Sequence, residues 1–423
     1  MGRPILVRAI SLLGGEMSEQ LVFDSRYSWA RLAVTLAIAT IGNVGMWSVI
    51  VIMPAVQAEF GVSRADSSLP YTLTMLGFGL GNLLIGRAVD RFGMSTALIG
   101  ASLLSCSGYL AAAASPSILI LSLVHFVIGL GSAASFGPLI ADISHWFQRR
   151  RGIAVAVAAS GNYLSGAIWP MVLAGVLLDN GWRAVCLALA VIVTVLVIPL
   201  ALLLRRRVPE LSMAAAGNFS LANRAASGLS PRTLAWLLAA AGLGCCVAMS
   251  MPQVHIVALC VDRGFGPAVG AEMLSLMLLG GVVSRLISGL IADKLGGVLT
   301  LLIGSVLQML ALFLYLPAGG LVSLYVVSLV FGLAQGGIVP AYALIVREYM
   351  PAREAGAWVG FVIMATILGM ALGGWMSGWI NDLTGSYQLA FLNGIVWNAL
   401  NIAVMLFILT RTRHPRRDIP AAA

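Results

Sequence analysis

The sequence predicts an all-α membrane protein, with twelve transmembrane helices in two pseudo-symmetric six-helix bundles. Three observations carry that prediction. Of the 423 residues, 60% are hydrophobic and only 10% are charged, against about 45–50% apolar and about 25% charged in a soluble domain. Twelve apolar runs of spanning length follow one another. A short loop motif recurs once, 203 residues downstream. No water-soluble core could bury so much apolar surface, which excludes a cytoplasmic enzyme, a disordered chain and a secreted disulfide scaffold.

The runs fall at about 32–56, 69–86, 95–114, 118–141, 152–178 and 184–204, then at 233–261, 268–292, 298–316, 321–346, 356–380 and 387–410. Each is close to the roughly 20 residues a helix needs to cross about 30 Å of hydrocarbon. Backbone groups in lipid must pair within their own segment, so the runs are helices. Residues 1–28 hold scattered charges around a weak apolar patch and no cleavable signal. The first run therefore reads as a retained signal anchor. The chain divides into a cytoplasmic N-terminal segment (1–28), a six-helix bundle (29–207), a cytoplasmic linker (208–231), a second bundle (232–411) and a cytoplasmic tail (412–423). The linker follows Arg205-Arg206-Arg207 and belongs to the longest polar stretch inside the chain.

Charge sets the orientation. The net charge is +9, which in a soluble protein would suggest nucleic acid. Here the basic residues come in short bursts between apolar runs, without interleaved aromatics. They read as loops beside a lipid bilayer, and no nucleic-acid partner is expected. With both termini cytoplasmic, only Arg64, Arg183 and Arg263 fall in outer loops and Arg285 lies within a span. The other 21 of the 25 Lys and Arg are then inside, as the positive-inside rule requires. The five cysteines lack metal-ligand spacing and read as packing residues. No P-loop, H-E-x-x-H or nucleophile elbow is present, so neither enzyme chemistry nor a cofactor is expected.

The two halves repeat each other. Gly86-Arg87-Ala88-Val89-Asp90-Arg91-Phe92-Gly93 follows the second run, and Gly289-Leu290-Ile291-Ala292-Asp293-Lys294-Leu295-Gly296 follows the eighth. Both read G-x-x-x-D-[RK]-x-G. Gly129-Leu130 matches Gly332-Leu333 at the same offset of 203, and Gly152 matches Gly356 at 204. An offset held across several spans marks an internal duplication. Parallel six-span halves imply rocking about a site near the membrane midplane.

The repeated loop resembles the hallmark loop of the major facilitator superfamily, with Met94-Ser95 in place of the usual basic pair. A narrower pattern starts at Pro138 and continues through Trp146-Phe147-Gln148-Arg149-Arg150-Arg151 to Gly152, Ala154, Gly161 and Gly166. It resembles the monocarboxylate transporters and their bacterial oxalate/formate-exchanger relatives. Those families carry an arginine in the eighth span, where Arg285 falls. The chain departs from them at Gly281, where animal members have an acid, and at Trp47, where they have a first-span lysine. Its eleventh run has no cation, against a dicarboxylate cargo. The resemblance implies a major facilitator fold acting in a bacterial inner membrane. It also implies that Asp90, Arg91, Asp293 and Lys294 form a conformational latch on the inner face. The protein is expected to be a monomer.

Three side chains are candidates for the chemistry. Arg285 interrupts an apolar run, at a cost of roughly 2.5–3.5 kcal/mol at a bilayer centre, and such residues usually face a wet cavity. Its guanidinium grips a carboxylate in two-pronged fashion; snorkelling to the interface is the alternative. His255 follows Pro252, where the helix is expected to break or bend, and could join Arg285 on one small anion or take a proton. His125, four residues before Gly129, is the proton-relay candidate. The expectation is a secondary carrier of a small organic monocarboxylate, coupled to protons. Efflux of amphipathic or aromatic compounds is the rival.

Overall fold

The computed structural model describes residues 23–147, 150–206, 229–350 and 352–412; the side chains of Asp90, Arg151, Asp293 and residues 352–356 are outside that description. Most of the expected N-terminal segment, linker and tail also lies outside the described residues. The helices are α1 (Arg26–Gly42), α2 (Val44–Phe60), α3 (Arg64–Phe92), α4 (Met94–Ala113), α5 (Ile118–Ser132), α6 (Gly137–Ser144) and α7 (Arg151–Leu203). After the linker come α8 (Pro231–Asp262), α9 (Pro267–Leu295), α10 (Gly297–Tyr315), α11 (Leu321–Gln335), α12 (Ile338–Tyr349), α13 (Ala352–Thr384) and α14 (Gln388–Thr412).

Eleven described helical stretches are long and apolar enough to cross a membrane. One of them, α7, is two crossings, because Gly181 at φ 78 and ψ 172 breaks it. The total is twelve, in agreement with the sequence. An even number brings Arg26 and Thr412 to one end of the bundle, the near end; the opposite end is the far end. Exposed residues such as Leu178, Val191 and Leu290 coat the outside, where lipid tails would lie.

Three crossings are broken where no break was expected. The first breaks between α1 and α2 at Asn43, whose Nδ2 donates to the carbonyls of Ala39 (2.7 Å) and Ser135 (2.9 Å). Ser135 belongs to a 3-10 turn, Ala133–Ser135, that breaks the fourth crossing. The tenth breaks at Gly336-Gly337, between α11 and α12. The break expected at Pro252 is absent: α8 stays helical through it. A proline removes only one ladder hydrogen bond there, and tight packing holds the remaining turns.

The duplication is visible in the packing. A Cβ on Gly129 would sit 2.1 Å from the Thr74 carbonyl oxygen, and one on Gly332 would sit 1.9 Å from that of Met277. Thr74 and Met277 are themselves 203 residues apart. Each glycine therefore lets the fourth or tenth crossing touch the backbone of the second or eighth. The duplicated loops likewise turn on one residue each, Gly93 at φ 84 and Gly296 at φ 78, a region that disfavours side chains. The motif carboxylates consequently sit on the last helical turn before the bend. The side chains of Asp90 and Asp293 lie outside the described residues, and Arg91 and Lys294 beside them are exposed.

At the near end, Arg31 and Asp142 form a buried two-pronged ion pair. Nε and Nη2 of Arg31 donate to the two carboxylate oxygens at 2.9 Å each. The guanidinium also reaches the Leu204 carbonyl at the end of α7, and lies over the Trp146 ring at 4.6 Å. Asp142 is brought to this pair by α6.

Candidate functional site

The two halves meet along two seams, α3 against α13 and α9 against the first arm of α7. Between the seams, near the middle of the crossings, lies a cavity. Arg285 of α9 lines it with Asn162 and Tyr163 of α7, Gln253 of α8 and Thr366 of α13. The rest of the wall is soft and apolar. It includes Met46, Met75, Met249 and Met370, with Trp47, Phe78 and Phe136 among the aromatics.

Arg285 is 5% exposed, and so neither faces lipid nor reaches the near-end surface. Its Nε donates to the Gly336 carbonyl at 3.1 Å, in the break of the tenth crossing, where the ladder leaves a carbonyl available. Its Nη1 donates to the Ala159 carbonyl of α7. Its guanidinium carbon stands 4.1 Å from the centroid of the Tyr163 ring. Among the described residues no carboxylate lies within 4.0 Å of it. Two carbonyls and a ring face hold a full positive charge without neutralising it. The cavity therefore has a fixed positive wall, to which an anion is the natural complement.

The sequence reading brought His255 to the same anion, but the structure separates the two. His255 is 1% exposed and is absent from the cavity wall. Its Nε2 faces the Gly374 carbonyl at 2.7 Å and its Nδ1 the Tyr387 hydroxyl at 3.1 Å. His125 is equally buried; its Nδ1 bonds the Leu121 carbonyl one turn earlier in α5, and it too is absent from that wall. Trp47, at the place of the family lysine, does line the cavity, where its Nε1 donates to Asn162. Asn162, Gln253 and Gln335 escaped the sequence reading. Each is an uncharged polar residue inside an apolar run, a weaker signal than a charge.

The far end is tied shut. Asp382, at the far end of α13, accepts from the backbone N–H groups of Arg64 and Ala65 at 2.7 Å each. Those groups are among the unpaired donors at the start of α3, so a carboxylate from one half caps a helix of the other. The Arg64 Nη2 reaches Asp262 of α8 at 2.6 Å. About two turns deeper, Gly374 of α13 abuts the ring of Tyr71. Asp382→Ala is expected to loosen this closure by about tenfold, the worth of roughly one charge-assisted hydrogen bond. The measurement is the labelling rate, by an impermeant maleimide, of a cysteine placed at buried Ser68 in a cysteine-free background. A rate equal to that of the parent would remove Asp382 from the closure.

A duplicated twelve-helix membrane bundle that closes at one end over a central charged cavity has the architecture of a membrane carrier. The sequence model of the Major Facilitator Superfamily matches residues 35–357 and 256–423, and the chain belongs to that superfamily of transporters. It is 27% identical to Monocarboxylate transporter 13 of Bos taurus, over 73% of this chain and 72% of that protein. It is 26% identical to Monocarboxylate transporter 11 of Homo sapiens, over 87% and 80%. The MFS-type transporter pytF of Aspergillus terreus is 28% identical over 56% of this chain and 78% of its own. Among solved structures, a bacterial homologue of the human lysosomal transporter Spinster, inward-facing and occupied, superposes with a TM-score of 0.69. That match has 14% identity and covers 95% of this chain and 100% of that one.

Proposed function

We propose that the protein moves a small organic monocarboxylate across a bacterial inner membrane by alternating access, with proton symport and with Arg285 holding the carboxylate. The observation that carries this reading is the buried, cavity-facing guanidinium with no acidic partner among the described residues. Similarity to monocarboxylate transporters supports the cargo class. The excess of basic residues at the near end supports cytoplasmic termini; on that orientation the closed far end is the outer one and the carrier is caught shut to the outside. The two halves, about 29–207 and 232–411, would rock about the cavity.

His255 is the better placed of the two histidines to carry the proton, since it lies beside the far closure. With Nε2–H donating to Gly374, its Nδ1 accepts from the Tyr387 hydroxyl; a proton on Nδ1 requires only that this hydroxyl turn from donor to acceptor. Asp90, Arg91, Asp293 and Lys294 keep their proposed part as a near-end latch. The test is uptake of labelled lactate, pyruvate and larger monocarboxylates into vesicles. Uptake should rise when the outside is made acidic and collapse with a protonophore. Uptake indifferent to the gradient would remove the coupling, and no uptake of any acid would remove the cargo class.

A second reading, outward transport of an amphipathic or aromatic compound, is favoured by the methionine-rich wall and by similarity to fungal MFS-type transporters. Survival of an export-deficient host on toxic compounds separates it from the first.

A further inference from the structure

Gln253 of the cavity wall and its hydrogen-bond partner Gln335, which is not among the lining residues, are incompletely paired. Gln253 and Gln335 are 1% and 0% exposed. Nε2 of Gln253 donates to Oε1 of Gln335 at 2.9 Å, while Oε1 of Gln253 and Nε2 of Gln335 have no partner. Leaving such groups unpaired costs free energy, so an arrangement of this kind calls for a ligand atom. The pair is also joined to the anion site through the chain. Gln335 immediately precedes Gly336, whose carbonyl holds Arg285.

Depth separates the two ends of the cavity. Gln253 lies nine residues in from Asp262, the far end of α8. Arg285 lies eighteen residues in from Pro267, the far end of the adjacent α9. At 1.5 Å per residue their Cα atoms differ in depth by roughly 14 Å. Arg285 is held back by the Gly336 and Ala159 carbonyls, so the space between its guanidinium and Gln253 is left for the cargo to fill. The same cavity wall carries Met75, Met249 and Met370 with Phe78. Thioethers are flexible and make favourable contacts with aromatic rings, so this stretch suits a flat ring.

We propose that the Gln253–Gln335 pair is a second polar subsite that reads a hydroxyl at the end of the cargo opposite its carboxylate, so that the preferred cargo is a hydroxylated aromatic monocarboxylate. This rests on the carboxylate reading of Arg285. A hydroxyl fits because it both donates and accepts. Turning both amides over keeps their mutual bond and replaces the free acceptor on Gln253 with a free donor, and a hydroxyl satisfies either setting.

The experiment measures binding to purified protein of three probes, 3-(4-hydroxyphenyl)propionate, 3-phenylpropionate and propionate, in the parent, Arg285→Gln, Gln253→Leu and Gln335→Leu. The parent should prefer the hydroxylated acid over its deoxy analogue by about tenfold or more, the usual effect of a buried polar group left unpaired. In Gln253→Leu and Gln335→Leu that ratio should fall towards one. If either leucine variant fails to fold, the shortened amides Gln253→Asn and Gln335→Asn read the same ratio. A ratio near one in the parent, or a ratio unchanged in the folded variants, overturns the subsite. When binding of the acids still depends on Arg285, that result leaves the carboxylate reading standing. Failure of the parent to bind any of the three overturns both.

Discussion

Arg285→Gln is expected to lower carboxylate uptake by at least about thirtyfold, the effect of losing roughly 2 kcal/mol or more when a buried hydrogen-bonded charge pair loses one partner. Glutamine keeps a donor and much of the length, so the loss reports the charge and the forked geometry. Arg285→Lys should fall between the two, because an ammonium keeps the charge without the fork. Stability should move the other way. The guanidinium is held by two carbonyls and a ring face, with no described carboxylate to offset its removal from water. Taking it away relieves a desolvated charge, so the melting temperature of the empty carrier should hold or rise. Uptake kinetics and a thermal melt on the same preparations check both halves. Retained uptake would remove Arg285 from the cargo site. Lost uptake with a collapsed melt would make it a structural brace.

Asp142→Ala is expected to destabilise the protein by about 3–5 kcal/mol, because it strands the Arg31 charge in a buried site. Both side chains are almost wholly shielded, at 1% and 6% exposure, so water cannot take the place of the carboxylate. The remaining bonds from Arg31 to the Leu204 and Arg206 carbonyls hold it without neutralising it. The paired change Arg31→Met/Asp142→Leu should recover most of the loss, since an apolar pair of similar volume avoids desolvation altogether. Thermal unfolding in detergent, read with monodisperse yield, measures the series. A single variant as stable as the parent would show that the pair contributes no net stability.

The spans were legible because hydrocarbon thickness fixes their length and apolar character, and both survive in a single sequence. Arg285 was legible because a charge inside an apolar run is costly to keep. The error over His255 is one of helical phase. Gln253 and His255 are two residues apart, roughly 200° around an α-helix, so when Gln253 faces the cavity His255 must face away, towards Gly374 and Tyr387. Sequence gave depth along the axis but not rotation about it. The breaks at Asn43 and Gly336-Gly337 were hidden for another reason. The Asn43 side chain pairs with the Ala39 carbonyl of its own crossing and with the Ser135 carbonyl of the fourth, and Arg285 of the eighth crossing takes up the Gly336 carbonyl, so the cause is tertiary. Pro252, the strongest local breaker in the seventh crossing, leaves α8 unbroken.

The far closure is asymmetric in what heredity can alter. Its acceptor is one side chain, Asp382, but its two donors are peptide N–H groups, which any replacement at positions 64 and 65 except proline would preserve. Mutation can therefore tune this cap from one side only, through codon 382, whereas the neighbouring Arg64–Asp262 pair can be altered from either half. A protein engineer who wants the carrier stalled in one posture would start at Asp382, because strengthening or removing that single acid leaves the cargo chamber untouched.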